Sequence, residues 1–174
     1  MPPSPPSGAL DGLGARLLVL TGLELDPSEV PGGPGVHVES YVPHAAVLPH
    51  AAVVISHGGM GSLLEAFRAG VPSVCVPLGR DQADNAAAAA ERGAAISLPG
   101  DATTGRLRAA VTDALTSPAL RGGARRMAGA LAACGGASAA ADEVEEVARL
   151  ARRDPAMAAS ATFAPGPGAP TLLA

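Results

Sequence analysis

The chain has 174 residues, room for one domain with a real core, and 48% of them are apolar although only 2% are aromatic. Its net charge of −4 supplies no basic patch for nucleic acid and argues against binding to an anionic membrane surface. No run approaches the roughly 18 continuous apolar residues of a membrane span, and the N-terminus lacks the charged-then-apolar pattern of a signal peptide.

So few aromatic residues predict a core of closely packed helix on sheet. The Ala, Gly, Pro and Arg bias looks like that of a GC-rich coding sequence, so the alanines are given little structural weight. Cys75 and Cys134 stand far apart in no metal-type or redox spacing. No disulfide framework is expected, and a reducing cytoplasm fits.

Residues 1–14 are rich in Pro, Ser and Gly and read as a disordered N-terminus. Arg16 to Gly22 is a short apolar run ending in glycine, a buried strand. Acids, prolines and glycines make Glu24 to Gly35 a loop. Val36 to Val42 alternates as a second strand and is stopped by Pro43. His44 to His50 forms a short helix whose interior Pro49 does not suit. Ala51 to Ser56 is an uncharged, β-branched strand of the kind buried on both faces of a parallel sheet.

A glycine-rich turn follows, and Leu63, Leu64 and Phe67 then sit at helical spacing up to about Ala69, with Gly70 as the stop. Val71 to Pro77 is another buried strand, Gly79 to Asp84 a polar loop, Asn85 to Arg92 a helix and Ala94 to Leu98 a short strand. Helices are predicted over Thr104–Thr116, Pro118–Ala133 and Ser138–Arg153. The last 21 residues, 154–174, have no period and read as a disordered tail. Residues 15–153 therefore form one domain. Its strands alternate with helices, which predicts an α/β fold with a Rossmann-like parallel sheet flanked by helices.

Three constellations could carry chemistry. In Ser56-His57-Gly58-Gly59-Met60-Gly61-Ser62, three glycines within four positions let the backbone turn sharply and leave its N–H groups uncovered. A helix starting there adds unpaired N–H groups and the positive end of its dipole, which together hold phosphate. Gly58, Gly59, Gly61 and Ser62 would present those groups, and His57 would donate to a phosphate oxygen. Ser62-Leu63-Leu64-Glu65 also fits a capping box, which needs no ligand. The second constellation is Asp81-Gln82-x-x-Asn85, whose carboxylate and amide can hold neighbouring sugar hydroxyls or, alternatively, start the next helix. The third is Tyr41-Val42, with a ring to stack on a base and a backbone to pair with its edge. An interior aromatic at a strand end is the competing account.

The four histidines, at 37, 44, 50 and 57, match no metal motif, so no metal is expected. There is no Gly-x-Ser-x-Gly elbow, and the chain contains no lysine, which closes the P-loop reading.

Taken together, these residues resemble the C-terminal, nucleotide-sugar-binding half of GT-B glycosyltransferases. The likeness is to the UDP- or dTDP-sugar-dependent enzymes that decorate antibiotics and other natural products. It is carried by Tyr41-Val42-Pro43-His44, Leu48-Pro49, Ser56 to Ser62, Glu65-Ala66, Gly70-Val71-Pro72, Pro77-Leu78 and Asp81-Gln82-x-x-Asn85-Ala86, in order and spacing. The resemblance implies Tyr41 against the base and Val42 pairing with it. It implies His57, Gly61 and Ser62 on the diphosphate, Glu65 on the ribose, and Asp81 and Gln82 on the transferred sugar. The reaction implied is metal-independent, cofactor-free transfer of a hexose to an acceptor hydroxyl, with His57 stabilising the departing diphosphate.

Two departures matter. The family's acceptor domain, which supplies the base, has no counterpart in this length. The family's donor domain also opens with a strand in the middle of the sheet, and Met1 to Gly14 does not read as that strand. The implied partners are a nucleotide-sugar donor and a small-molecule acceptor held by an absent or separate domain. The alternatives are a non-catalytic nucleotide-sugar-binding subunit, an inactive fragment, and another GT-B relative such as a sugar-nucleotide epimerase.

Overall fold

A computed structural model of the chain describes residue 10 and residues 12–153. The flexibility expected of Met1–Ala9, Asp11 and residues 154–174 falls outside the described residues. The chain divides into two compact units, residues 1–132 and residues 133–174.

Among the described residues the first unit holds five short strands, all paired in parallel. β1 (Leu17–Leu20) pairs with β2 (Val36–Glu39), with Leu17 opposite Val36. β3 (Val54–Ser56), β4 (Ser73–Cys75) and β5 (Ala95–Ser97) make a separate sheet in that order. Among the described residues no strand joins the two sheets. The helices of this unit are α1 (His44–Val47), α2 (Met60–Arg68), α3 (Gln82–Glu91), α4 (Thr104–Thr116) and α5 (Pro118–Ala133), which runs to the division.

β4 is the centre of the three-stranded sheet and is buried throughout. Its successive side chains point to opposite faces. Cys75 joins a cluster with Leu63, Phe67, Ala86 and Ala89 from α2 and α3, and Met127 and Leu131 of α5 pack against it. Val74 joins a second cluster with Ala110, Val111 and Ala114 from α4. Helices therefore cover both faces, as a parallel sheet requires.

Alanine does more here than its abundance suggested. Ala66, Ala86, Ala94, Ala114 and Ala124 are fully buried. Small side chains let the layers approach closely. The extreme case is Gly123 in α5, where an added Cβ would stand 1.8 Å from the Gly93 carbonyl oxygen. Helix and turn there meet backbone to backbone.

Several boundaries differ from expectation. The strands are shorter, because pairing stops where a partner strand ends. The 44–50 segment is α1 followed by a 3₁₀ turn at Leu48–His50, which places Pro49 in a first turn, where its missing N–H does no harm. α3 starts at Gln82 rather than Asn85, so the loop after β4 is shorter than expected. Leu10 and Leu13 pack against the Val74 cluster, so this part of residues 1–14 is placed rather than disordered.

The second unit contains α6 (Gly136–Arg153), a helix that exposes Val144, Val147 and Leu150 along one stripe. No helix among the described residues is long and apolar enough to cross a membrane.

Candidate functional site

β3 delivers the chain into the glycine turn. The Gly58 N–H donates to Ser56 Oγ at 3.2 Å, and Gly58 has φ +84°, a left-handed conformation that favours glycine. A Cβ on Gly58 would lie 3.1 Å from the Gln82 carbonyl oxygen, 3.4 Å from Ala86 Cβ and 3.6 Å from Cys75 Cβ. Gly58 is therefore where the turn after β3 abuts the first turn of α3. Its N–H is spent inside the fold, which removes it from the set expected to face a phosphate.

Gly59 is the N-cap of α2 and brings no side chain to cap it. The first helical bond runs from the Leu63 N–H to the Gly59 carbonyl at 3.1 Å. The N–H groups of Met60, Gly61 and Ser62 therefore have no intrahelical acceptor. Elsewhere the chain does cap: Thr103 Oγ1 accepts from the Arg106 N–H at 3.4 Å, and Ser117 Oγ accepts from the Leu120 N–H at 3.2 Å. The capping box anticipated at Ser62 and Glu65 is not formed, because the helix begins two residues before Ser62. Glu65 instead pairs with Arg68 at 3.5 Å, one turn on.

The three glycines differ in what they do. The His57 ring lies over Gly59, with Nε2 2.5 Å from where a Cβ would be, and His57 itself is exposed. Gly61 meets nothing within 4 Å. Packing explains Gly58, the exposed His57 ring alone crowds Gly59, and Gly61 is bare, open backbone at the positive end of α2.

The loop from β4 to α3 forms the neighbouring wall. Gln82 Oε1 accepts from the N–H groups of Leu78 and Gly79 at 2.8 and 3.1 Å, which closes the loop. Asp81 does not cap α3 with its side chain; its Oδ2 accepts from Asn85 Nδ2 at 2.8 Å. One Asp81 oxygen and the Gln82 amide N–H₂ remain for other partners. Arg80, between them and Gly79, holds φ +57°, an uncommon conformation for a non-glycine residue.

Tyr41 follows β2 and is 70% exposed, so the interior-aromatic account is excluded. Val42 beside it is half-buried. The structure thus joins the glycine turn to Asp81-Gln82 through Gly58. Tyr41 and Val42 stand at the carboxyl end of the other sheet. His57 and Ser62 also line a cavity of about 1120 Å³ between β1 and β3, whose walls do not include Tyr41, Glu65, Asp81 or Gln82.

Sequence reasoning missed two features. The Met60 N–H belongs to the uncapped set, and only the start of α2 at that residue reveals it. Arg80's backbone conformation has no sequence signal. Among the described residues no group of three or more His, Cys, Asp or Glu side chains could hold a metal ion.

The site lies just beyond the carboxyl ends of parallel strands, the usual place for a ligand in such a sheet. Residues 19–147 match the family described as erythromycin biosynthesis protein CIII-like, C-terminal domain. The chain is 35% identical over 115 residues to demethyllactenocin mycarosyltransferase of Streptomyces fradiae, covering 63% of this chain and 24% of that protein. Among solved structures, the calicheamicin glycosyltransferase CalG4 superposes with TM-score 0.72 and 36% identity, over 78% of this chain and 36% of that one. The glycosyltransferase VinC, solved in complex with dTDP, superposes with TM-score 0.68 and 28% identity, over 84% of this chain and 37% of its own. The chain spans about a quarter to a third of the length of the curated relatives it matches. On this match, and with its parallel α/β architecture, the chain belongs to the erythromycin biosynthesis CIII-like C-terminal domain family of GT-B natural-product glycosyltransferases.

Proposed function

We propose that this chain is the donor-binding half of a cytoplasmic glycosyltransferase that moves a hexose from a UDP- or dTDP-sugar to a hydroxyl of a small natural product. The observation that carries the proposal is the uncapped start of α2, with three outward N–H groups beside an open Gly61. An anion placed there satisfies donors the fold leaves over and meets the favourable end of the helix dipole. The dTDP complex of VinC supports the choice of anion.

The roles follow the order base, phosphates, sugar. Tyr41 lies against the base and the Val42 backbone pairs with its edge. The N–H groups of Met60, Gly61 and Ser62, with the Ser62 hydroxyl, hold the diphosphate. His57 and Gly59 stand at its side, Glu65 holds the ribose, and Asp81 and Gln82 hold the sugar. Gly58 acts as a spacer. During transfer, negative charge grows on the oxygen that leaves with the nucleoside diphosphate. His57 and the α2 terminus stabilise it, an electrostatic task that needs no metal. The acceptor hydroxyl loses its proton to a base outside the described residues.

A second reading is a nucleotide-sugar-binding subunit completed by a partner that holds the acceptor. Either way the donor site is tested by thermal unfolding. A ligand that binds only the folded state raises its stability by about 2.7 kcal/mol at a hundredfold excess over Kd. UDP or dTDP should raise the melting temperature, and His57→Ala and Ser62→Ala should reduce the rise. No shift with either nucleotide at millimolar concentration would sink the donor-site assignment.

A further inference from the structure

Arg80 lies in the short loop between β4 and α3 and is exposed. Its φ of +57° makes it the only non-glycine residue with a positive φ among the described residues. Glycine takes that conformation freely, whereas a residue with a Cβ takes it at a cost. The loop is held in this shape by Gln82, whose Oε1 accepts from the Leu78 and Gly79 N–H groups at 2.8 and 3.1 Å. Among the described residues Arg80 pairs with no carboxylate. Asp81 beside it turns Oδ2 to Asn85 Nδ2 instead, at 2.8 Å. The cation on α2, Arg68, is by contrast engaged by Glu65. A strained backbone thus carries an unpaired guanidinium, and strain of this kind collects at binding sites.

The position gives that charge a task. The loop meets the glycine turn where a Cβ on Gly58 would stand 3.1 Å from the Gln82 carbonyl oxygen. Arg80 is two residues from Gln82, and Met60 at the start of α2 is two residues from Gly58. Two residues span at most about 7 Å, so Arg80 and the α2 terminus both stand close to this one contact. The loop also carries two exposed carboxylates, Asp81 and, in the first turn of α3, Asp84. Both repel an anion brought to the α2 terminus. The chain has no lysine to offset them. A guanidinium is always charged, and its planar fork of donors matches phosphate oxygens.

We propose that Arg80 is a donor-binding residue, whose guanidinium pairs with the diphosphate of the nucleotide-sugar and offsets the charges of Asp81 and Asp84. The proposal rests on the donor-site reading given above. It adds a fixed positive charge to the N–H groups and helix dipole of α2. As the sugar departs, that charge also meets the negative charge growing on the diphosphate. Gln82 then has a positioning role as well, because its carbonyl oxygen keeps the loop that carries Arg80 closed.

Calorimetric titration of the full chain with dTDP and with UDP tests it. It is run at low salt and at about 1 M salt, where the Debye length falls to about 3 Å. Arg80→Gln removes the charge, and Arg80→Lys keeps the charge but loses the fork. Without nucleotide both variants should melt within about 2 °C of the parent, because the residue is exposed. At low salt Arg80→Gln should weaken nucleotide binding at least about tenfold, and Arg80→Lys distinctly less. At high salt the parent and Arg80→Gln should differ by about threefold or less. If the parent binds neither nucleotide, the donor-site reading falls and the role of Arg80 with it. If the parent binds and Arg80→Gln binds as tightly, the donor site stands and the proposal for Arg80 is overturned. Equal losses in the two variants, or a loss that salt leaves unchanged, also overturn it, since they report the shape of the loop rather than its charge.

Discussion

Gly61→Ala separates a structural glycine from one kept for a ligand. Gly61 is helical, exposed, and meets nothing within 4 Å of where a Cβ would sit. In a helix, alanine is favoured over glycine by about 0.5–1 kcal/mol, with the smaller value apt for a first turn. For a chain of this size that gain raises Tm by about 1–4 °C. With nucleotide the sign should reverse, because the new methyl group stands where the proposed diphosphate approaches the backbone. A tenfold loss of affinity, about 1.4 kcal/mol, reduces the stabilisation from about 2.7 kcal/mol to about 1.4 kcal/mol at a nucleotide concentration one hundred times the original Kd. Thermal melts of both proteins, with and without dTDP or UDP, read the two effects separately. If the variant melts higher and keeps the full nucleotide shift, the open backbone at Gly61 is not a phosphate contact, and the reasoning fails.

Other substitutions probe the frame. Gly58→Ala combines a left-handed backbone with a Cβ against Gln82, and should cost about 2–4 kcal/mol in urea unfolding. Gly123→Ala drives a methyl into the Gly93 carbonyl and should destabilise by at least about 3 kcal/mol, or prevent folding, as judged by circular dichroism. Ser73 Oγ is buried in β4 without a hydrogen-bond partner, so Ser73→Ala should leave the urea midpoint unchanged or raise it by up to about 1 kcal/mol equivalent. Burial pushes the Cys75 thiol from 9.0 up to about 11. As pH rises, the unfolded chain loses that proton first, so stability should decline between pH 9 and 11, and Cys75→Ala should remove the decline.

The parts of the fold legible in sequence were those with local punctuation. α4 and α5 matched their expected bounds because Thr103 caps one and Ser117-Pro118 separates the two. The start of α2 was not legible from the capping-box pattern, because Ser-x-x-Glu looks the same in a first turn as at a cap. Only the path of β3 into Gly59 decides it. The start of α3 was obscured by Asp84 and Asn85, which are polar enough to pass for loop. Packing of Leu10 and Leu13, and the contact of Gly123 with Gly93, depend on partners far along the chain and leave no local trace.

The contact between Gly58 and the Gln82 carbonyl works as a ruler. It sets how far the α2 terminus stands from the Asp81-Gln82 loop at a point where Gly58 brings no side chain to lengthen the gap. In a site of the proposed kind, that gap is the span from diphosphate to sugar, which is common to every nucleotide-sugar. A lineage can therefore change which sugar it accepts by altering the exposed chemistry at Asp81 and its neighbours, while the gauge between the two halves of the donor stays constant.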